Sequence, residues 1–134
     1  QRTPEFIDAE QTFLTLAEKD GALASILAAH TSDQIKTKLA VQSHLNHWEL
    51  LAVCVQGNIV DEDICKLMIG DKVCRRWDQA YSLVQEIRKE SGAGDAPDDE
   101  FFANFQSLAK AWKANPSVKD ESRLKKVVAE IARL

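Results

Sequence analysis

The chain has 134 residues, with 17 basic against 21 acidic side chains and a formal charge of −4. That length suits one domain and is thin for two, and an apolar content of 45% can fill a single core. The acidic balance argues against a surface that coats nucleic-acid phosphates, and no apolar run reaches the ~20 residues that span a bilayer.

Helical periodicity runs through the whole chain, without sustained period-two alternation. Pro4 at a first turn, followed by Phe6, Ile7, Phe13, Leu14 and Leu16, predicts a helix over 4–18 that Gly21 ends or breaks. A short apolar segment, Ala22 to Ala29, comes next. Thr31 or Ser32 can cap a long helix over 32–56, and Gly57 and Asn58 suit a left-handed end. At 1.5 Å per residue this helix is about 37 Å long, comparable to the width of the domain, so it is expected at the centre. Asp61 opens a short helix with Ile64, Leu67 and Met68, and Gly70 is expected to close it. A separate helix over 71–91 then carries Val73, Trp77, Ala80, Val84 and Ile87 on one stripe.

The stretch from Ser91 to Pro97 is the one linker-like segment, and Asp98 can cap the helix after it. Phe101, Phe105, Leu108 and Trp112 form that helix's apolar stripe, and Asn115-Pro116 stops it. A last helix over 119–134 places Leu124, Val127, Val128, Ile131 and Leu134 on one face. The fold expected is all-α: a single-domain bundle of about six to seven helices around a long central one. Residues 3–112 form its core, and 117–134 add a basic amphipathic helix.

Two stretches carry a resemblance. HLNHWELLAVCVQGNIV at 44–60 runs into DEDICKLMIGDKVCRRW at 61–77, with Asn46, Trp48, Glu49, Gly57, Asp61, Glu62, Arg76 and Trp77 at the matching positions. TPEFIDAEQTF at 3–13 and FFANFQSLAKAW at 101–112 extend it. Together they resemble an uncharacterised bacterial helical family, domain-of-unknown-function family 4760, over roughly residues 3–112. Cys54 stands where that pattern has a small residue, and the last helix lies outside it. The resemblance implies a helical fold and allows a membrane helix upstream of Gln1. It carries no assigned activity.

The polar candidates lie mostly on the central helix. Asn46 and Glu49 are three residues apart on a sector shared with Leu39, Leu50 and Val53, which is expected to be buried. A buried carboxylate needs a partner, and Arg76 is the candidate. The three residues then form either a structural ion pair or a polar pocket that reads a ligand. His44 and His47 stand three apart beside Leu51 and Cys54. Cys54 is about 10 Å along the axis from His47, too far to share an ion, so no metal site is expected and the histidines are read as solvated or at an interface. Cys54, Cys65 and Cys74 are odd in number and irregularly spaced, which fits a reducing compartment. Two of them lie beside apolar faces and are expected to pack as small hydrophobes. Asp61, Glu62 and Asp63 lack the glycine and late glutamate of a calcium loop, so they are read as helix-start charges. No nucleotide-binding or nucleophile motif and no cofactor site is present.

Charge is uneven. Residues 110–134 carry seven basic and three acidic groups, whereas 1–109 carry ten and eighteen. Lys119, Arg123, Lys126 and Arg133 flank the apolar face of the last helix. Such a helix contacts an acidic membrane, nucleic acid or an acidic partner, or, more often, docks on its own acidic body. The leading expectation is a non-catalytic, cytoplasmic module that binds a protein partner or its own copy. It would bury an apolar helix face, with orientation from Asp61, Glu62, Arg75 and Arg76. A small-molecule sensor built around Asn46, Glu49 and Arg76 is the first alternative, and an enzyme with a dispersed site the second.

Overall fold

The computed structural model describes residues 4–19, 22–92, 100–118 and 121–134. Among these are six α-helices and no strand: α1 (Pro4–Ala17), α2 (Ala22–Ser25), α3 (Ser32–Gln56), α4 (Glu62–Ser91), α5 (Ala103–Ala114) and α6 (Glu121–Ala132). A short 3-10 turn, Ile26–Ala28, follows α2. This is the all-α bundle expected, with two boundaries moved.

Helix α3 begins where its sequence says. The Thr31 side chain accepts from the Gln34 N–H at 3.1 Å, and the Gln34 carboxamide accepts from the Thr31 N–H, also at 3.1 Å. This reciprocal box satisfies donors that a helix start leaves free. At the other end the left-handed residue is Asn58, at φ 59°, and not Gly57, which stays at φ −83°. The Ile59 N–H then reaches the Cys54 carbonyl at 2.9 Å and the Asn58 N–H reaches Val55 at 3.1 Å, the paired bonds of a Schellman end.

Gly70 does not close a helix. Helix α4 runs unbroken for 30 residues, with Asp61 as its cap. A methyl group at Gly70 would stand 3.3 Å from Lys66 Cγ one turn back on α4 and in ordinary contact, 3.9 Å, with Trp112 of α5, so the glycine lies inside a continuous helix on its α5-facing side. The start of α5 also moves. Asp98 lies outside the described residues, and the helix starts at Ala103, after Phe102 at φ 59°. That left-handed turn buries Phe102 and leaves Phe101 exposed, so Phe102 takes the core place expected of Phe101.

The core lies where α3, α4 and α5 meet, with α1 packed along α3. Trp48 of α3 stacks on Phe105 of α5 at 6.2 Å between ring centroids, and Trp77 of α4 meets the same ring edge-on at 5.2 Å. Val73, Trp77, Ala80, Val84 and Ile87 are all buried, as their stripe predicts. Helix α6 rests on the start of α4 through buried Leu124 and through Arg123, which pairs with Asp61 at 3.1 Å and Asp63 at 3.4 Å. The basic helix therefore docks on acidic residues of its own chain.

Candidate functional site

Asn46, Glu49 and Arg76 do not converge. Glu49 turns to α5, whose preceding residue Phe102 offers no side-chain cap. Its carboxylate accepts from the Phe105 N–H at 2.7 Å and from the Asn104 side chain at 2.9 Å. It thus caps the start of α5 from a neighbouring helix, where negative charge is favoured. The other end of α5 is held by Lys66, a buried lysine that donates to the carbonyls of Asn115 at 3.0 Å and Ser117 at 3.1 Å. Buried Arg88 pins the approach to α5, donating to the Phe101 carbonyl and to the Gln106 side chain. Glu62 accepts from the Trp112 indole at 3.1 Å. The polar residues of α3 and α4 thus hold α5 in place.

Arg76 is buried elsewhere and donates to Gln79 at 3.0 Å, not to Glu49. It belongs to a polar cluster among α1, α3 and α4. There Lys72 pairs with buried Glu10 at 3.0 Å, and His44 is 1% exposed. His44 Nε2 accepts from the Trp48 indole N–H at 3.0 Å, so the neutral ring carries its proton on Nδ1. Burial is the main reason its pKa falls to about 4. Glu10 opposes that fall, while Arg76, His47 and Lys72 add to it. The reading of both histidines as solvated or interfacial thus fails for His44, which is core; His47 is exposed, with its ring 4.4 Å from Phe6. The sequence holds one clue: His44 shares the helical stripe of Val41, Leu45, Trp48 and Ala52. Glu10 and Lys72 have no local signal, because their pairing joins two distant helices.

The other candidates divide. Asp61 accepts the Ile64 N–H and pairs with Arg123, and these two hold its carboxyl below the ordinary value. Arg75 and Lys126 are exposed, Arg133 pairs with Glu130 on its own helix, and Lys119 lies outside the described residues. Cys54, Cys65 and Cys74 are free and partly buried, and burial pushes the Cys65 and Cys74 thiols up, away from reactivity. Among the described residues no group of three or more His, Cys, Asp or Glu is placed to hold a metal ion. Nor, among them, is any helix long and apolar enough to cross a membrane.

The sector expected to be buried is instead open. Leu39 is 60% exposed, Leu50 62% and Val53 43%, and Ile35 and Asn46 are exposed beside them. At 3.6 residues per turn these five fall within about 60° of one another, on the side of α3 away from the core, along about 27 Å of helix. Two depressions flank Asn46. One of about 340 Å³ opens towards α1 between Glu5, Phe6, Ser43 and His47. The other, of about 180 Å³, opens towards Gln42, Ile87, Phe101 and Phe102. A second apolar region lies where Leu67 of α4 faces Leu124, Val128 and Ala132 of α6 around a groove of about 550 Å³.

These features define an all-α bundle whose polar residues are largely spent on its own scaffold and whose central helix shows an apolar outer face. A family model for a domain of unknown function, DUF4760, matches residues 1–112, and the chain belongs to that family. No curated protein and no solved structure matches it. The family match ends at Trp112, and α6 lies beyond the matched residues.

Proposed function

We propose that the protein is a non-catalytic protein-interaction module that binds through the outer face of α3. The exposed row Leu39, Asn46, Leu50 and Val53 carries this reading. Large apolar side chains aligned on one exposed face, with a polar group among them, have the composition of an interface. The row has no basic residue, so its chemistry suits a protein surface rather than phosphates. The orienting charges expected at Asp61, Glu62 and Arg76 are engaged within the chain, which moves the reading away from them and onto α3. The setting we propose is the bacterial cytoplasm, which the three free thiols support.

A photo-crosslinking amino acid placed at Leu50 in the native host tests this, with one at Arg75 on α4 as control. The expected result is a discrete protein adduct from position 50 and none from position 75. No adduct from position 50 overturns the reading.

A further inference from the structure

Resting on that reading, we infer that the occupant of the α3 face is a second copy of this chain, with the two α3 helices packed antiparallel about a two-fold axis. The outer row reads Ile35, Leu39, Gln42, Asn46, Leu50, Val53: two apolar residues, two carboxamides, two apolar residues. It has the same character from either end. A two-fold interface requires such a self-complementary surface, because each residue meets its counterpart across the axis.

Laid antiparallel with its midpoint near His44, one α3 brings Ile35 level with Val53 of the copy, Leu39 with Leu50, and Gln42 with Asn46, each to within one residue. A carboxamide carries both donors and an acceptor, so each Gln42–Asn46 pair can exchange two reciprocal hydrogen bonds. A shift by one helical turn in either direction places a carboxamide against leucine, leaving a desolvated amide without a partner, so the polar pair sets the register.

A parallel pairing would also match like with like along the row, and charge decides against it. Lys38 and Glu49 both lie on the flank of the row that faces α5, where Glu49 reaches the α5 start. In the antiparallel arrangement the same flanks of the two copies adjoin, and Lys38 of one copy comes level with Glu49 of the other. In a parallel arrangement each would adjoin the opposite flank, where Lys38 would come level with the like-charged Lys36 of α3, while the acid on that side, Glu5 of α1, lies further along beside Ser43 and His47. Phe101, exposed beside Gln42 and Asn46, lies on that α5 flank near the axis, so its copy comes beside it and adds apolar surface on both sides.

Sedimentation velocity on the purified chain, with Leu39→Lys, Leu50→Glu and their equimolar mixture, tests each step. The wild type is expected to sediment at twice its 15.0 kDa mass. Either substitution strikes the interface twice and is expected to weaken association roughly a hundredfold or more, with helicity unchanged by circular dichroism. The mixture is expected to recover the dimer, because the lysine introduced in one chain then faces the glutamate introduced in the other. A wild type that stays at 15.0 kDa at every concentration overturns the inference. A dimer that survives both substitutions overturns it as well, and so does a dimer that mixing fails to rescue, as in a parallel arrangement. In each of these cases a crosslink from position 50 to a different protein leaves the interaction reading standing, and only its absence removes both.

Discussion

The two faces of α3 carry apolar side chains in similar number and meet opposite fates. The inner face, Val41, His44, Leu45, Trp48 and Ala52, is sealed by α1, α4 and α5, while Leu39, Leu50 and Val53 stand open. The inner face has aromatic partners on two other helices, Phe13 of α1 and Phe105 of α5, and a histidine whose one acceptor is used by Trp48. The outer face has only carboxamides and shallow depressions. Hydrophobicity alone therefore does not say which side of a helix belongs to the fold; the rings and polar pairs on neighbouring elements decide it.

Substitutions that separate the faces sharpen the contrast, and Trp48→Ala is the most damaging. It removes a buried indole stacked on Phe105 and is expected to cost about 3–5 kcal/mol in chemical denaturation. Leu50→Ala, on the other side of the same helix, is expected to stay within about 0.5 kcal/mol at concentrations where no association occurs. Equal costs for the two would erase the distinction.

A second effect comes from pH. His44 ionises near pH 4 in the folded chain against 6.5 when unfolded, so the unfolded chain binds a proton first as pH falls. Its contribution is intact above pH 6.5 and is lost between 6.5 and about 4, by on the order of 2–3 kcal/mol. Urea melts at pH 7 and pH 4.5 are expected to show this drop in the wild type and a smaller one in His44→Gln. A flat dependence would mean that the ring is not held neutral by burial.

Smaller again is Glu49→Ala, which takes the cap from α5 and leaves the Phe105 N–H without its acceptor. A loss of about 1.5–3 kcal/mol is expected, with amide exchange quickening first at the start of α5. A variant of full stability that loses its binding partner would instead make Glu49 part of the interface alone. The least of these effects is at Thr31→Ala, about 1 kcal/mol, from opening the capping box of α3.

How much of this can be read from the chain depends on the range of the physics involved. The bounds of α1 and α3 are legible because Pro4, Thr31 with Gln34, and Gly57-Asn58 act on their own neighbours. Gly70 reads locally as a helix end, yet it lies inside α4 facing Trp112, which comes from another helix. Periodicity puts Phe101 on the α5 stripe because nothing local signals the left-handed turn at Phe102 that puts Phe102 there instead. The expected link between Glu49 and Arg76 fails for the same reason. Spacing gives the sector of α3 on which Glu49 lies, but only packing shows that α5 presents an uncapped start to it. Spacing likewise groups Leu39, Asn46, Leu50 and Val53 on one sector. Their exposure is not in the spacing, since it depends on where the other described helices pack.

The most direct test of that exposure's meaning is circular dichroism melting of a Leu39→Glu, Leu50→Glu double variant, at a dilution where the wild type is unassociated. If the outer face serves binding and not folding, the variant keeps wild-type helicity and melts cooperatively within a few degrees of the wild type. Lost helicity or a collapsed melting temperature would show that the face belongs to the chain's own fold, and would contradict the account.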